Sequence, residues 1–526
     1  MQGDDERAAR MTSISRRAML AGSAAVAAFP AAARARREVP VESPAGRFAG
    51  IREQGIRRFL GIRYGRARRF EAPAAEPAAR EVVDAAAFGP ACPQRGDRYQ
   101  PQDEDCLTLN IWSPEADARA RRPVMVYFHG GAYSAGSVAD PLNDGRHLAA
   151  RGDVVVVTVN HRLNAFGYLY LARLDPRFPD SGNAGQLDLV LALRWIRDNI
   201  ADFGGDPGRV MVFGQSGGGA KIATLMGMPA AAGLFHRAAT MSGQQVTASG
   251  PLNATARTSA YMAALGARSA DELLAMPTPA LVEGLSATDP ILGGGVYFGP
   301  VLDMKWLARH PFWPDAPPQS NPIPMMLGNT RDETRGFFGP DHPRIVGLDW
   351  SNLAERMAPE LRVDAHPEWV VAEYRKLFPG FSAEEVFFAA TTAGRSWRGQ
   401  VEEADARARA GAPTWVYQLD FPSPIEPWRG APHTLDIPLV FGTLDAAGSI
   451  AGTGADSRRL SAAMMDAFIA LARNGDPNHA DLPDWPVHRV PERQTMVFDR
   501  RLRVENDPRR VQRELFARVP YVQPGT

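Results

Sequence analysis

Three polar positions in this chain could form one acyl-transfer machine: Ser216, a carboxylate at Asp332 or Glu333, and His433. A serine hydroxyl is a weak nucleophile, so it needs a base, and the base needs a carboxylate to orient it. Ser216 stands in Gly214-Gln215-Ser216-Gly217-Gly218, after the apolar run Val210–Phe213 and before the small-residue stretch Gly219–Leu225. That pattern predicts a buried strand, a tight turn presenting one hydroxyl, and a helix leading away. The glycines are needed because the turn is strained and crowded, with no room for a Cβ beside it.

Acyl transfer also puts negative charge on the carbonyl oxygen, which calls for preorganised donors. The strand-like run Val124–Phe128 ends in His129-Gly130-Gly131-Ala132. A glycine turn at a strand end can aim consecutive N–H groups at one point. The expected donors are the amides of Gly131, Ala132 and Gly217, with His129 orienting the loop. Among ten histidines, His433 is the candidate base, because it follows the Gly430-Ala431-Pro432 loop and precedes the apolar run Ile437–Phe441. A structural role is expected for the others. The acid follows Pro324–Gly328, and position alone leaves Asp332 and Glu333 equally placed. Either gives the order nucleophile, acid, histidine, found in α/β-hydrolases and unlike the two common serine-protease orders.

These pieces must be brought together by a scaffold. Val154–Val159, Val210–Phe213 and Pro324–Leu327 read as central parallel strands, and Leu189–Asn199 and Arg459–Arg473 as covering helices. The expected fold is α/β: a large, mostly parallel central sheet with helices on both faces and insertions that shape a substrate pocket. The 526 residues carry 59 basic and 59 acidic side chains, and no basic patch or nucleic-acid motif stands out. Neither Cys92 nor Cys106 has a Cys/His cluster around it, so no metal site is expected.

At the N-terminus Arg16-Arg17 precedes a short apolar stretch, Met19–Phe29, followed by small-x-small sequences ending at Ala33 and Ala35. The expected division is a twin-arginine signal peptide over 1–35 and a single domain over 36–526, with the export machinery as partner of the precursor and a periplasmic or secreted product. Met11 is an alternative start. The apolar stretch is too short to remain as a membrane span.

Beyond the active-site strings, the chain resembles the type-B carboxylesterase (carboxylesterase/cholinesterase) family of α/β-hydrolases from about Val41 to Asp499. The resemblance rests on Phe59–Tyr64, Glu104-Asp105-Cys106-Leu107, Asn160-His161-Arg162-Leu163, Gly182-Asn183-Ala184-Gly185, Asn199–Pro207, Met241-Ser242-Gly243, Phe298-Gly299-Pro300-Val301 and Asn474–Asn478. It implies Ser216 as nucleophile, Glu333 as acid and His433 as base. It also implies hydrolysis of small to medium carboxylic esters through an acyl-enzyme, with aryl esters as candidates and no metal or cofactor. Carbamate, amide or polyester cleavage on the same triad is the alternative. Some relatives have lost the serine and act in adhesion, but every triad position is filled here. The family commonly has a disulfide ending at the cysteine of its Glu-Asp-Cys-Leu block, which implies a Cys92–Cys106 bridge. Two residues depart from the pattern. Gln215 replaces a glutamate and loses its charge, and Gly217 replaces an alanine. Both are expected to tune the reaction. Aromatic residues of the two insertions, Tyr297, Phe387, Phe388 and Trp397, are expected pocket walls.

Overall fold

A twelve-stranded sheet carries the site. The structure is a computed structural model that describes residues 36–37 and 39–523. Strands run parallel from Val155–Val159 through Arg122–Phe128, Gly205–Gln215, Arg237–Met241, Met325–Thr330 and Thr414–Leu419 to Gln494–Phe498. Antiparallel strands extend both ends: Thr108–Ser113 and Ile56–Arg63 on one side, Arg503–Asn506 on the other. All five residues of Val155–Val159 are buried, as expected for a strand covered on both faces.

Side-chain alternation along each strand builds two cores. Val124, Val126, Val210 and Val212 face one layer, where the helix Ala184–Asn199 contributes Leu189, Leu193 and Ile196. Met125, Tyr127, Met211 and Phe213 face the other, against Phe441 and Phe468 from the helices Asp436–Phe441 and Ala455–Asn474. Helices thus cover both faces, as the sequence predicts. The expected elements all exist, with bounds that shift by one to a few residues: the strand expected from Val154 starts at Val155, the elbow strand runs Gly205–Gln215, and the expected helix at 459–473 runs Ala455–Asn474 and stops at Gly475, whose φ of 78° ends it. A third apolar cluster belongs to the helical insertion between the acid and the base. There Phe387, Phe388 and Trp397 pack on Leu353, Val370 and Tyr374.

The parallel strands deliver every chemical piece to one edge. The loop His129–Ala132 follows Arg122–Phe128, Ser216 follows Gly205–Gln215, Glu333 follows Met325–Thr330, and His433 lies beyond Thr414–Leu419. These are carboxyl ends of strands close together in one sheet, which is where open α/β sheets bind ligands.

The expected disulfide is not formed. Cys92 and Cys106 are free and buried. The neighbouring Cys92 thiol, with burial, holds the Cys106 thiol well above its ordinary range. Cys92 Sγ also accepts the Leu163 amide at 3.2 Å. The core supplies both sulfurs with packing and polar partners, so the bridge is not needed to satisfy them. Denatured protein without reductant is expected to show two titratable thiols, and native protein almost none; a thiol count of zero after denaturation would contradict the structure. The twin-arginine segment and its cleavage sites lie outside the described residues. Nothing in the described residues supports export to the periplasm or beyond. Among the described residues no helix is long and apolar enough to cross a membrane.

Candidate active site

Ser216 has φ 53° and ψ −122°, a strained conformation that holds its side chain clear of the turn. The turn is pinned by Ser216 N donating to Met241 O at 2.7 Å. A Cβ added at Gly217 would collide with the backbone of Ala132, and one at Gly218 with Phe128 O. Gly217, one of the two departures seen in the sequence, and Ala132 of the loop are therefore in direct contact. The second can enter the donor loop, at φ 56°, because the first has no side chain.

Glu333 reaches His433 and Asp332 does not. Glu333 Oε2 lies 2.5 Å from His433 Nδ1. Its other oxygen accepts from Ser242 Oγ at 2.6 Å, Thr330 N at 2.8 Å and Asn329 Nδ2 at 2.9 Å. Burial pushes this carboxyl up, but His433 and these donors outweigh it and hold it below its ordinary range. Asp332 turns to Arg331, 3.0 Å away, and to the Ala431 amide at 2.9 Å. The adjacent acids thus do different work: one orients a ring, the other closes the loop that carries it.

On the far side of the ring, His433 Nε2 lies 3.1 Å from Gln215 Nε2. With Nδ1–H directed to Glu333, Nε2 is an acceptor and the Gln215 amide donates to it. Ser216 Oγ has no hydrogen bond among the described residues, so His433 Nε2 is bonded to Gln215 and not to Ser216. A carboxylate at 215 would attract a proton onto the ring. Q215E is therefore expected to move the acidic limb of kcat/KM upward by about one pH unit. The profile on a neutral ester checks this, and a limb that stays or moves down would show that position 215 is uncoupled from the base.

Lys221 is one site residue that sequence reasoning missed. It sits one turn into the helix Gly217–Met226, fully buried, and donates to Ala132 O at 2.8 Å and His129 O at 3.3 Å. It also lies 5.4 Å from the Tyr133 ring centroid. Burial lowers its ammonium to about 7. Lys221 fastens the donor loop to the elbow helix from beneath; a lysine among small residues was the only available signal. His129, expected to orient the loop, is buried and pairs its Nδ1 with Gly130 O at 2.8 Å. Burial and Lys221 hold it at about 3, so it stays neutral. His161 stacks on it, centroids 4.7 Å apart.

Asp436 lies behind the base and was also missed. Burial, and then the Glu333 charge, raise it to about 7, against an ordinary 3.8. Tyr417 donates to its Oδ2 at 3.1 Å, while Oδ1 has no partner among the described residues. A carboxyl raised by folding stabilises the native state below its unfolded value and loses that contribution as pH rises through the folded one. The loss should therefore develop between about pH 4 and pH 7, and its limit is on the order of 4 kcal/mol. Chemical denaturation at pH 5 and pH 8 should show wild type weakening more than D436N across this window; equal slopes would refute the effect.

Two cavities flank the elbow. One, about 130 Å³, is lined by Ser216, Gly217, Ala132 and His433 on its chemical side and by Tyr297, Phe337 and Arg395 on its outer side. The other, about 450 Å³, is lined by Gly130, Gly131, Gln215 and Thr434 and opens past Arg98 and Tyr99. Of the aromatic walls expected from the insertions, only Tyr297 lines the cavity beside Ser216. Tyr521 and Gln523, from the C-terminal segment, line it unannounced by any motif.

The site has the parts of a serine acyl-transfer centre on a parallel sheet, and known proteins match it along most of its length. The model of the Carboxylesterase family matches residues 37–516. The chain is 34% identical to the para-nitrobenzyl esterase of Bacillus subtilis over 89% of its length and 96% of that protein. It is 33% identical to the phenmedipham hydrolase of Pseudarthrobacter oxydans, over 86% and 93% of the two chains. The crystal structure of the Geobacillus stearothermophilus carboxylesterase EST55 superposes with a TM-score of 0.81 at 35% identity, covering 91% of this chain and all of that one. The chain belongs to the carboxylesterase family and is a serine-hydrolase-type esterase of α/β-hydrolase fold.

Proposed function

We propose that Ser216, His433 and Glu333 form the triad, and that the enzyme cleaves esters joining a short acyl group to a bulky, aryl-bearing alcohol. The Glu333–His433 pair, 2.5 Å apart beside the elbow serine, carries the triad assignment. His433 Nε2 takes the Ser216 proton as Oγ bonds to the ester carbonyl carbon. The amides of Gly131, Ala132 and Gly217 hold the oxyanion. Gly217 opens its helix, where an N–H has no helical acceptor. The carbon–oxygen bond to the alcohol then breaks, and His433 returns the proton to the leaving oxygen. Water repeats the cycle on the acyl-enzyme.

The size preference follows from the same geometry. The leaving alcohol must lie at Nε2, which faces Gln215; Ser216 and His433 line the 130 Å³ cavity and Gln215 lines the 450 Å³ one, so we assign the acyl group to the first and the alcohol to the second. The names of the relatives, an esterase of para-nitrobenzyl esters and a hydrolase of phenmedipham, support a site open to aryl groups. A fluorophosphonate probe should label Ser216 once per chain. Across benzyl esters of acetate to decanoate, kcat/KM should peak at short acyl length; a peak at decanoate would reverse the lobe assignment.

A further inference from the structure

The smaller cavity sets polar groups among apolar ones where an acyl chain has to lie. Beside Phe337, its outer wall includes Gln244, Gln245, Gln523, Tyr297, Tyr521 and Arg395. An alkyl chain pressed on such groups displaces water from them and returns no hydrogen bond, which is a cost. Arg395 stands close to the chemistry. Its guanidinium lies 4.9 Å from the centroid of the Phe337 ring, and that centroid is 4.8 Å from the one of His433.

The guanidinium is also short of negative charge. Its one hydrogen bond among the described residues runs from Nη1 to Glu360 Oε2, at 3.1 Å. Glu360 gives its other oxygen to Arg344, 3.2 Å away. Arg362 adds a further positive charge beside Arg395, and its buried Nε has no hydrogen-bond partner among the described residues. Glu360 is thus shared between two guanidinium groups, those of Arg344 and Arg395. The other acid behind this wall, Glu403, accepts the Gln245 amide at 2.5 Å. Burial raises it to about 8, so it is uncharged at neutral pH. The wall carries one guanidinium, that of Arg395, which shares its carboxylate with Arg344, and a planar fork is the group that best matches a carboxylate.

We propose that this cavity binds an acyl group ending in a carboxylate, so that the preferred substrates are monoesters of short dicarboxylic acids, with Arg395 as the residue that reads the free acid. The proposal rests on the assignment of Ser216 and His433 as the reacting groups and of the smaller cavity to the acyl group. Hydrolysis consumes water and releases the diacid and the alcohol.

The test compares two esters of one shape, benzyl hydrogen succinate and benzyl succinamate, with benzyl butyrate as an apolar reference. For the wild-type enzyme, kcat/KM for the acid should exceed that for the amide at least tenfold, with the difference mainly in KM and shrinking as salt is added. In R395M the acid-to-amide ratio should fall to about one or below, and R395K should lie between. A wild-type ratio of one or less overturns the proposal, as does a ratio that R395M leaves unchanged. The wild-type comparison needs no variant and decides the matter even where R395M does not fold. Cleavage of benzyl butyrate and the amide without preference for the acid overturns this proposal alone. Cleavage of none of the three overturns it together with the assignment beneath it.

Discussion

S216A is expected to fold as wild type does and to lose about 10⁴–10⁶-fold in ester turnover. The fold should survive because the deleted oxygen makes no hydrogen bond among the described residues, and because alanine meets the same backbone strain that serine already bears at φ 53°. What disappears is the hydroxyl of the proposed nucleophile. The residual rate should be what the oxyanion donors and binding supply alone, acting on water or hydroxide. The variant should also lose labelling by a fluorophosphonate while its thermal melt stays within a few degrees. A folded S216A retaining more than a tenth of wild-type kcat/KM on a short-chain aryl ester would show that another group is the nucleophile.

How much of this could be read from the chain differs by the kind of signal. The elbow and the donor loop were legible because each needs small residues at fixed offsets from an apolar strand, and such constraints leave a local trace. The parallel strands were legible for the same reason: burial on both faces leaves unbroken runs such as Val155–Val159. The acid was not legible from local pattern. Asp332 and Glu333 are neighbours at the start of a single turn of 3₁₀ helix, Glu333–Gly336, and which one faces the base depends on a loop a hundred residues on. Only the family resemblance chose Glu333. Lys221 and Asp436 were missed because their importance comes from burial against distant loops, which neither residue type nor spacing announces. The aromatic walls failed for the opposite reason. Phe387, Phe388 and Trp397 look like pocket residues by type, but the insertion needs a core of its own and uses them there. The thiols were misread by analogy: the family's bridge was expected where this core accommodates two reduced sulfurs.

H433A should match S216A in severity, about 10⁴–10⁶-fold in kcat/KM, and the double variant S216A/H433A should be little worse than either. A nucleophile without its base and a base without its nucleophile are equally idle, so their losses do not add. The acids should separate more gently. E333Q keeps the shape of the side chain that holds the ring but can turn an amide N–H toward Nδ1, which would force the wrong tautomer. A loss of about 10²–10⁴-fold is expected, concentrated in kcat. D332N should cost less than tenfold, because Asp332 bonds Arg331 and the Ala431 amide rather than the ring. Gln215 makes the comparison sharper. In the structure its amide bonds Nε2 at 3.1 Å, so the ring must exchange that donor for the serine hydroxyl before each attack. The Glu333 contact fixes the pivot of that exchange. With the pivot loosened in E333Q, Gln215 can keep the ring, and replacing Gln215 with alanine in the E333Q background should recover part of the lost kcat. A larger loss from D332N than from E333Q would reverse the assignment of the acid. A Q215A/E333Q double variant no faster than E333Q would show that Gln215 does not compete with Ser216 for the base.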